Sequence, residues 1–148
     1  MNADFTRRVV EHADYTPWRP SPMPGAERKM LDRIGGEVAR AATIQRVAPG
    51  STLSAHTHEG GEALIVLHDA HGDVTAGSDI RDPPRCKHTP LVAPGATIML
   101  KLHRFQPENR AHIPIATDKA CPVAAANRPG VAVPPLFDHA HKVVGLET

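Results

Sequence analysis

Fifteen prolines and eleven glycines interrupt a chain of 148 residues so often that long helices have little room to form. With only five aromatic residues among them, what remains is a succession of short strands joined by turns. The hydrophobic fraction, 41%, is that of an ordinary globular domain. A chain of this length buries roughly 70% of its extended-chain surface and folds without a covalent staple. The class expected is therefore all-β, a single barrel-like domain spanning 1–148.

Apolar runs place the strands. Ala39 to Val47, Leu53 to His58, Ala63 to His68 and Ala96 to Phe105 read as strands. The last carries Ile98, Leu100 and Leu102 on one face and Met99, Lys101 and His103 on the other. A helical turn at Ala26 to Arg33 is the single helical expectation. Tyr15 to Gly25, with four prolines and Trp18, reads as an extended arm anchored by the tryptophan and covering a sheet edge.

Within this frame lies a chemical signature: Gly50, five residues, His56-Thr57-His58, three residues, Glu62. Strand side chains alternate, so His56 and His58 face the same way with Cα atoms about 6.6 Å apart, close enough to grip one ion. Glu59-Gly60-Gly61 is turn chemistry that returns the chain antiparallel and starts the next strand at Glu62. Farther along, Gly77 is followed by Pro83-Pro84-Arg85-Cys86-Lys87-His88, a turn-rich approach to another histidine.

The two stretches resemble the paired motifs of the cupin superfamily, and the resemblance implies an RmlC-like jelly-roll β-barrel, or double-stranded β-helix. It implies metal ligands at His56, His58, Glu62 and His88. A narrower resemblance covers about residues 15–110, the expected barrel core. It rests on Trp18-Arg19-Pro20-Ser21-Pro22, Pro24-Gly25, Leu31-Asp32-Arg33, Gly35-Gly36-Glu37 and Ala48-Pro49-Gly50. Gly60-Gly61-Glu62, His71-Gly72-Asp73, Ala76-Gly77, Arg81-Asp82-Pro83-Pro84 and Lys101-Leu102 continue it. In this order the segments resemble the cupin domain of ChrR-type anti-sigma factors, which implies zinc. In those proteins a separate preceding domain holds the sigma factor. Only about fourteen residues, without cysteine, precede the match here, so sigma-factor binding is not expected.

Departures from the family pattern fall beside the ligands rather than on them. Ala63 stands where a second glutamate is usual, and Asp69 and Arg85 stand where glycines are usual. The hairpin between Leu67 and Gly72 is short. A non-glycine residue is strained in a left-handed turn, so Arg85 bears on how His88 is aimed. Ligand type alone leaves Zn, Fe, Mn, Ni and Cu open. The leading expectation is a zinc cupin that binds or senses a small molecule. An Fe(II) dioxygenase acting on diketones and a degenerate, metal-free barrel are the alternatives.

The charges exclude other classes. Seventeen basic and sixteen acidic residues are spread along the chain for a net +1, so neither nucleic acid nor a membrane surface is an expected partner. No signal-peptide core or transmembrane run is present, and the expectation is a cytoplasmic protein, by default a homodimer. Two cysteines make no disulfide framework. Cys86 reads as a turn filler, or as a redox-sensitive thiol if it faces the pocket. His12, His68, His71, His103, His112, His139 and His141 read as surface or loop residues, with His103 the one to check against the pocket. Residues 127–148 resemble the opening of a second, truncated cupin repeat, one that adds an edge strand to its own barrel or a partner's, or else is a loosely ordered terminus.

Overall fold

The computed structural model describes residues 1–4, 6–36, 39–51, 54–69, 75–89, 95–103, 105, 110–117, 119–139 and 142–145. Glu37, Leu53, the His71-Gly72-Asp73 segment and His141 lie outside these. Among the described residues thirteen strands run in the order β1 (Arg19–Pro20), β2 (Ala26–Ile34), β3 (Arg40–Val47), β4 (His56–Thr57), β5 (Glu62–His68), β6 (Ser78–Asp82) and β7 (Lys87–His88). They continue with β8 (Ala96–Leu102), β9 (Ile113–Ala116), β10 (Val123–Ala124), β11 (Ala132–Val133), β12 (Pro135–His139) and β13 (Lys142–Gly145). No helix occurs among the described residues, and none is long and apolar enough to cross a membrane.

Seven strands form one antiparallel sheet in the order β1-β2-β3-β8-β5-β6-β9, and β4 pairs with β7 in a separate ribbon. Strand alternation assigns the faces. Ala41, Thr43, Gln45 and Val47 of β3, Leu64 of β5, Ile80 of β6 and Ile98, Leu100 and Leu102 of β8 line a common cavity of about 400 Å³. His56 of β4 and His88 of β7 contribute to the same wall, so the small ribbon closes what the large sheet curls around. This is the jelly-roll barrel expected.

The strand expectations at 39–47, 63–68 and 96–105 hold to within a few residues. The last stops at Leu102 because His103 adopts φ +53°, which no strand accommodates. Of the strand expected at 53–58, His56 and Thr57 are in a strand. The arm 15–25 also behaves as read: Arg19 and Pro20 pair with Arg28 and Glu27 at the sheet edge. Trp18 lies beneath two cations, with the Arg46 guanidinium 4.2 Å and Lys29 Nζ 4.7 Å from a ring centroid.

The helical turn expected at Ala26 to Arg33 is wrong. Those residues are in β2, paired with β3 from Ala26↔Val47 to Ile34↔Arg40. Glu-Arg-Lys-Met-Leu are good helix formers, but an adjacent strand offers each backbone group a ladder partner and sorts the side chains by twos. Glu27 turns outward to Arg46, 2.7 Å away, while Arg28 turns inward opposite Gln45.

The C-terminal residues are built into two small hairpins, β10 with β11 and β12 with β13, rather than adding to the seven-stranded sheet. Leu136 is 2% exposed, so this segment is packed.

Candidate metal centre

Two turns aim the four residues. In the first, the Gly61 amide donates to the His58 carbonyl at 3.2 Å, and Gly61 takes φ +77°, which turns the chain into β5 with Glu62 as its first residue. In the second, the Cys86 amide donates to the Pro83 carbonyl at 3.0 Å, Pro84 sits at the second position and Arg85 takes φ +66° at the third. That is the pattern of a type II turn, whose third position ordinarily wants glycine. The Arg85 amide also donates to the His58 carbonyl at 2.9 Å, tying the second turn to the first. Past these turns β4 and β7 pair with His56 opposite His88.

The result is a convergence. His58 Nε2 lies 2.7 Å from His56 Nε2 and 2.7 Å from Glu62 Oε2. His88 Nε2 lies 3.3 Å from His56 Nε2 and 4.0 Å from Glu62 Oε1. One donor atom from each residue falls within 4.8 Å of all the others. Ligand atoms held about 2.1 Å from a common ion lie roughly 3 to 4 Å from one another, so the spacing is that of a coordination sphere.

The outer partners determine which nitrogens carry protons. His56 Nδ1 lies 3.0 Å from the Ser54 carbonyl and His88 Nδ1 lies 2.9 Å from Asp82 Oδ2, both acceptors. In each ring, then, Nδ1–H donates outward and Nε2 keeps its lone pair. His58 Nε2 stands between a lone pair and a carboxylate, and a single proton there can serve only one of them. Lone pairs and a carboxylate, Glu62 being 5% exposed, thus face one another in a partly enclosed space. A cation at their centre is the group that satisfies all four, and the donor set fits a divalent ion.

Asp82 supports the cluster and was not among the residues singled out by sequence. It lies opposite Glu62 across β5–β6 and is 3% exposed. It accepts from His88 and, at 2.8 Å through Oδ1, from His112 Nδ1. Burial pushes the Asp82 carboxyl up, but the hydrogen bonds and positive charge of His88 and His112 outweigh it and hold the group below the ordinary carboxylate range. The hydrogen bond that His88 donates to Asp82 in turn raises His88, against burial, with the charges of Glu62 and Asp82 adding to the rise. The available signal was positional, since an aspartate ending the strand next to Glu62 must share its face.

His112 is the exposed loop residue expected, and it also lines the cavity and bonds Asp82. His103 does not line the cavity; its ring covers Gly60, where a Cβ would lie 1.8 Å from Nδ1. Cys86 lies outside the cavity wall with Sγ 3.8 Å from Asp82 Oδ1. Partial burial and that carboxylate push its thiol up, which keeps it protonated and slow as a nucleophile.

Residues 6–106 match the profile of the ChrR cupin-like domain. Among solved structures, an RmlC-like cupin protein from Ralstonia eutropha JMP134 matches at TM-score 0.54 and 18% identity, over 65% of this chain and 68% of that one. A candidate acetylacetone dioxygenase from Methylibium petroleiphilum PM1 matches at TM-score 0.52 and 16% identity, over 99% of this chain and 94% of that one. At such identities the likeness is one of fold. No curated protein matches the sequence.

Proposed function

The chain belongs to the ChrR cupin-like family, and from that premise we propose that it holds one divalent metal ion, zinc foremost, at His56, His58, Glu62 and His88 and anchors a small molecule beside it. The observation that carries this reading is the convergence of His56, His58, Glu62 and His88, one donor atom of each within 4.8 Å of the others, with Nδ1 of His56 and of His88 turned outward to acceptors at 3.0 and 2.9 Å. With Nδ1 engaged outward, Nε2 of each ring is the atom left to offer a lone pair to an ion. All four residues line the cavity of about 400 Å³, so an ion held there would border space that a ligand can fill. Zinc there would supply electrostatic and Lewis-acid stabilisation of an oxygen donor.

The test is elemental analysis of protein purified without a metal-affinity step, alongside a His56→Ala, His58→Ala double variant. About one zinc per chain, missing from the variant, is the expected result. Full metal content in the variant would overturn the ligand assignment, and no metal in either would leave the degenerate barrel.

One observation favours a second reading, an iron-dependent dioxygenase. The candidate acetylacetone dioxygenase follows this chain along nearly its whole length, and the cluster opens onto a mostly apolar chamber suited to a small carbonyl compound. Iron in the elemental analysis and oxygen uptake by iron-loaded protein with acetylacetone support it. Zinc alone and a flat oxygen trace count against it.

A further inference from the structure

Beyond the hydroxyl of Thr43 in its wall, the cavity carries charged side chains at more than one place. The first is the His/Glu cluster. The register across the sheet locates the second: Arg33, Ala41, Leu102 and Glu62 lie on one rung, whereas Arg28, Gln45, Ile98 and Val66 lie on another, four residues along β5 from Glu62. At about 3.3 Å per residue that is roughly 13 Å of strand. Leucine and isoleucine side chains of β5, β6 and β8 occupy the wall between the two.

At the second place Arg28 and Gln45 face each other across β2–β3 and both line the cavity. Gln45 is 7% exposed. Among the described residues no carboxylate or carbonyl engages the Arg28 guanidinium, although its neighbours are served: Arg46 pairs with Glu27, and Arg33 donates to the Gly36 carbonyl. A guanidinium facing an apolar wall without a protein acceptor is open to a ligand, and a planar bidentate acceptor is the complement of its fork. The cavity charge agrees. Arg28 and Arg33 oppose the Glu62 and Asp82 carboxylates, and a divalent ion would make the sum positive.

We propose that the chamber takes an anionic ligand, an aliphatic monocarboxylate whose carboxylate is held by Arg28 with the Gln45 carboxamide beside it and whose chain extends along the apolar wall toward the His/Glu cluster. This rests on the cavity being the ligand chamber and adds the ligand's chemical class. It does not require the ion to be zinc.

The probes are hexanoate and hexanamide, equal in length and different in charge, titrated calorimetrically into the protein as purified, with metal content measured on each sample. Hexanoate is expected to bind at least tenfold more tightly than hexanamide, and Arg28→Gln is expected to abolish the difference while leaving metal content unchanged. Arg28→Lys, which keeps charge but lacks the fork, should retain part of it and controls for folding. Equal binding of the two probes, an unchanged preference in Arg28→Gln, or no hexanoate binding at millimolar concentration would overturn the proposal. The His56→Ala, His58→Ala variant separates the two readings: a carboxylate preference that survives there supports the Arg28 site whether or not a metal is bound, and a preference that disappears with the metal places the carboxylate on the ion and overturns it.

Discussion

Two residues are under strain that can be measured. Arg85 occupies the glycine-favouring third position of the turn at 83–86 with φ +66°. A left-handed conformation costs a residue with a Cβ about 1–2 kcal/mol, and the glycine alternative gives back part of that through unfolded-state entropy. The exposed Arg85–Glu59 pair, 3.6 Å apart, adds little to oppose the change. Arg85→Gly should therefore raise the unfolding free energy by about 0.5–1 kcal/mol, read by urea unfolding; a loss of stability would show that the arginine side chain holds the turn. Asp79 is the other. Only 4% exposed on the outer face of β6, it is pushed up to about 6 by burial, with Arg81 and Lys101 pulling the other way. Because its folded value lies above the ordinary 3.8, its contribution to stability is complete at low pH and is lost as pH rises from about 4 through 6. Asp79→Asn lacks that slope, so the variant should gain on the parent between pH 4 and 7, by on the order of 1–3 kcal/mol. A constant difference across that range would mean that Asp79 ionises as easily folded as unfolded.

At the scale of elements, the last residue of β6 determines how β7 presents its histidine. Asp82 fixes the His88 ring through Nδ1, and removing such an outer carboxylate usually weakens metal binding 10–100-fold. Asp82→Asn should show that loss in a competitive chelator titration while the fold persists; unchanged affinity would reduce Asp82 to a bystander. The same element explains what sequence left hidden. Strands with dense apolar runs, 40–47 and 62–68, were legible because period and composition agreed. So was the proximity of His56, His58 and Glu62, which one turn brings together although β4 and β5 do not pair. β2 was not legible, because Glu27 to Leu31 carry helix-favouring side chains and only β3 makes them a strand. β6 and its Asp82 were not either: Ser-Asp-Ile-Arg-Asp has a single apolar residue, and its polar side chains are buried by neighbours distant in sequence. His112 reaches the site from the loop that enters β9, thirty residues from the aspartate it bonds.

The molecule as a whole combines a well-connected sheet with slighter attachments. The C-terminal hairpin is one of these, and it holds Leu136, 2% exposed, among the least accessible large side chains. Leu136→Ala should cost about 2–4 kcal/mol of global stability, and a cost below about 0.5 kcal/mol, in the range of an ordinary surface substitution, would mean that the tail unfolds on its own. The β4–β7 ribbon is the other. Each of its strands is two residues long, yet it carries two of the four residues that converge on the centre, while Glu62 belongs to the large sheet. An ion bound there would act as a rivet between a flap and a wall, and a flap held by so short a ladder is expected to open before the barrel melts. The ion's residence time would then follow the opening rate of two rungs of ladder rather than the unfolding rate of the protein, and deuterium would enter the Thr57 and Lys87 amides at the tempo at which metal leaves.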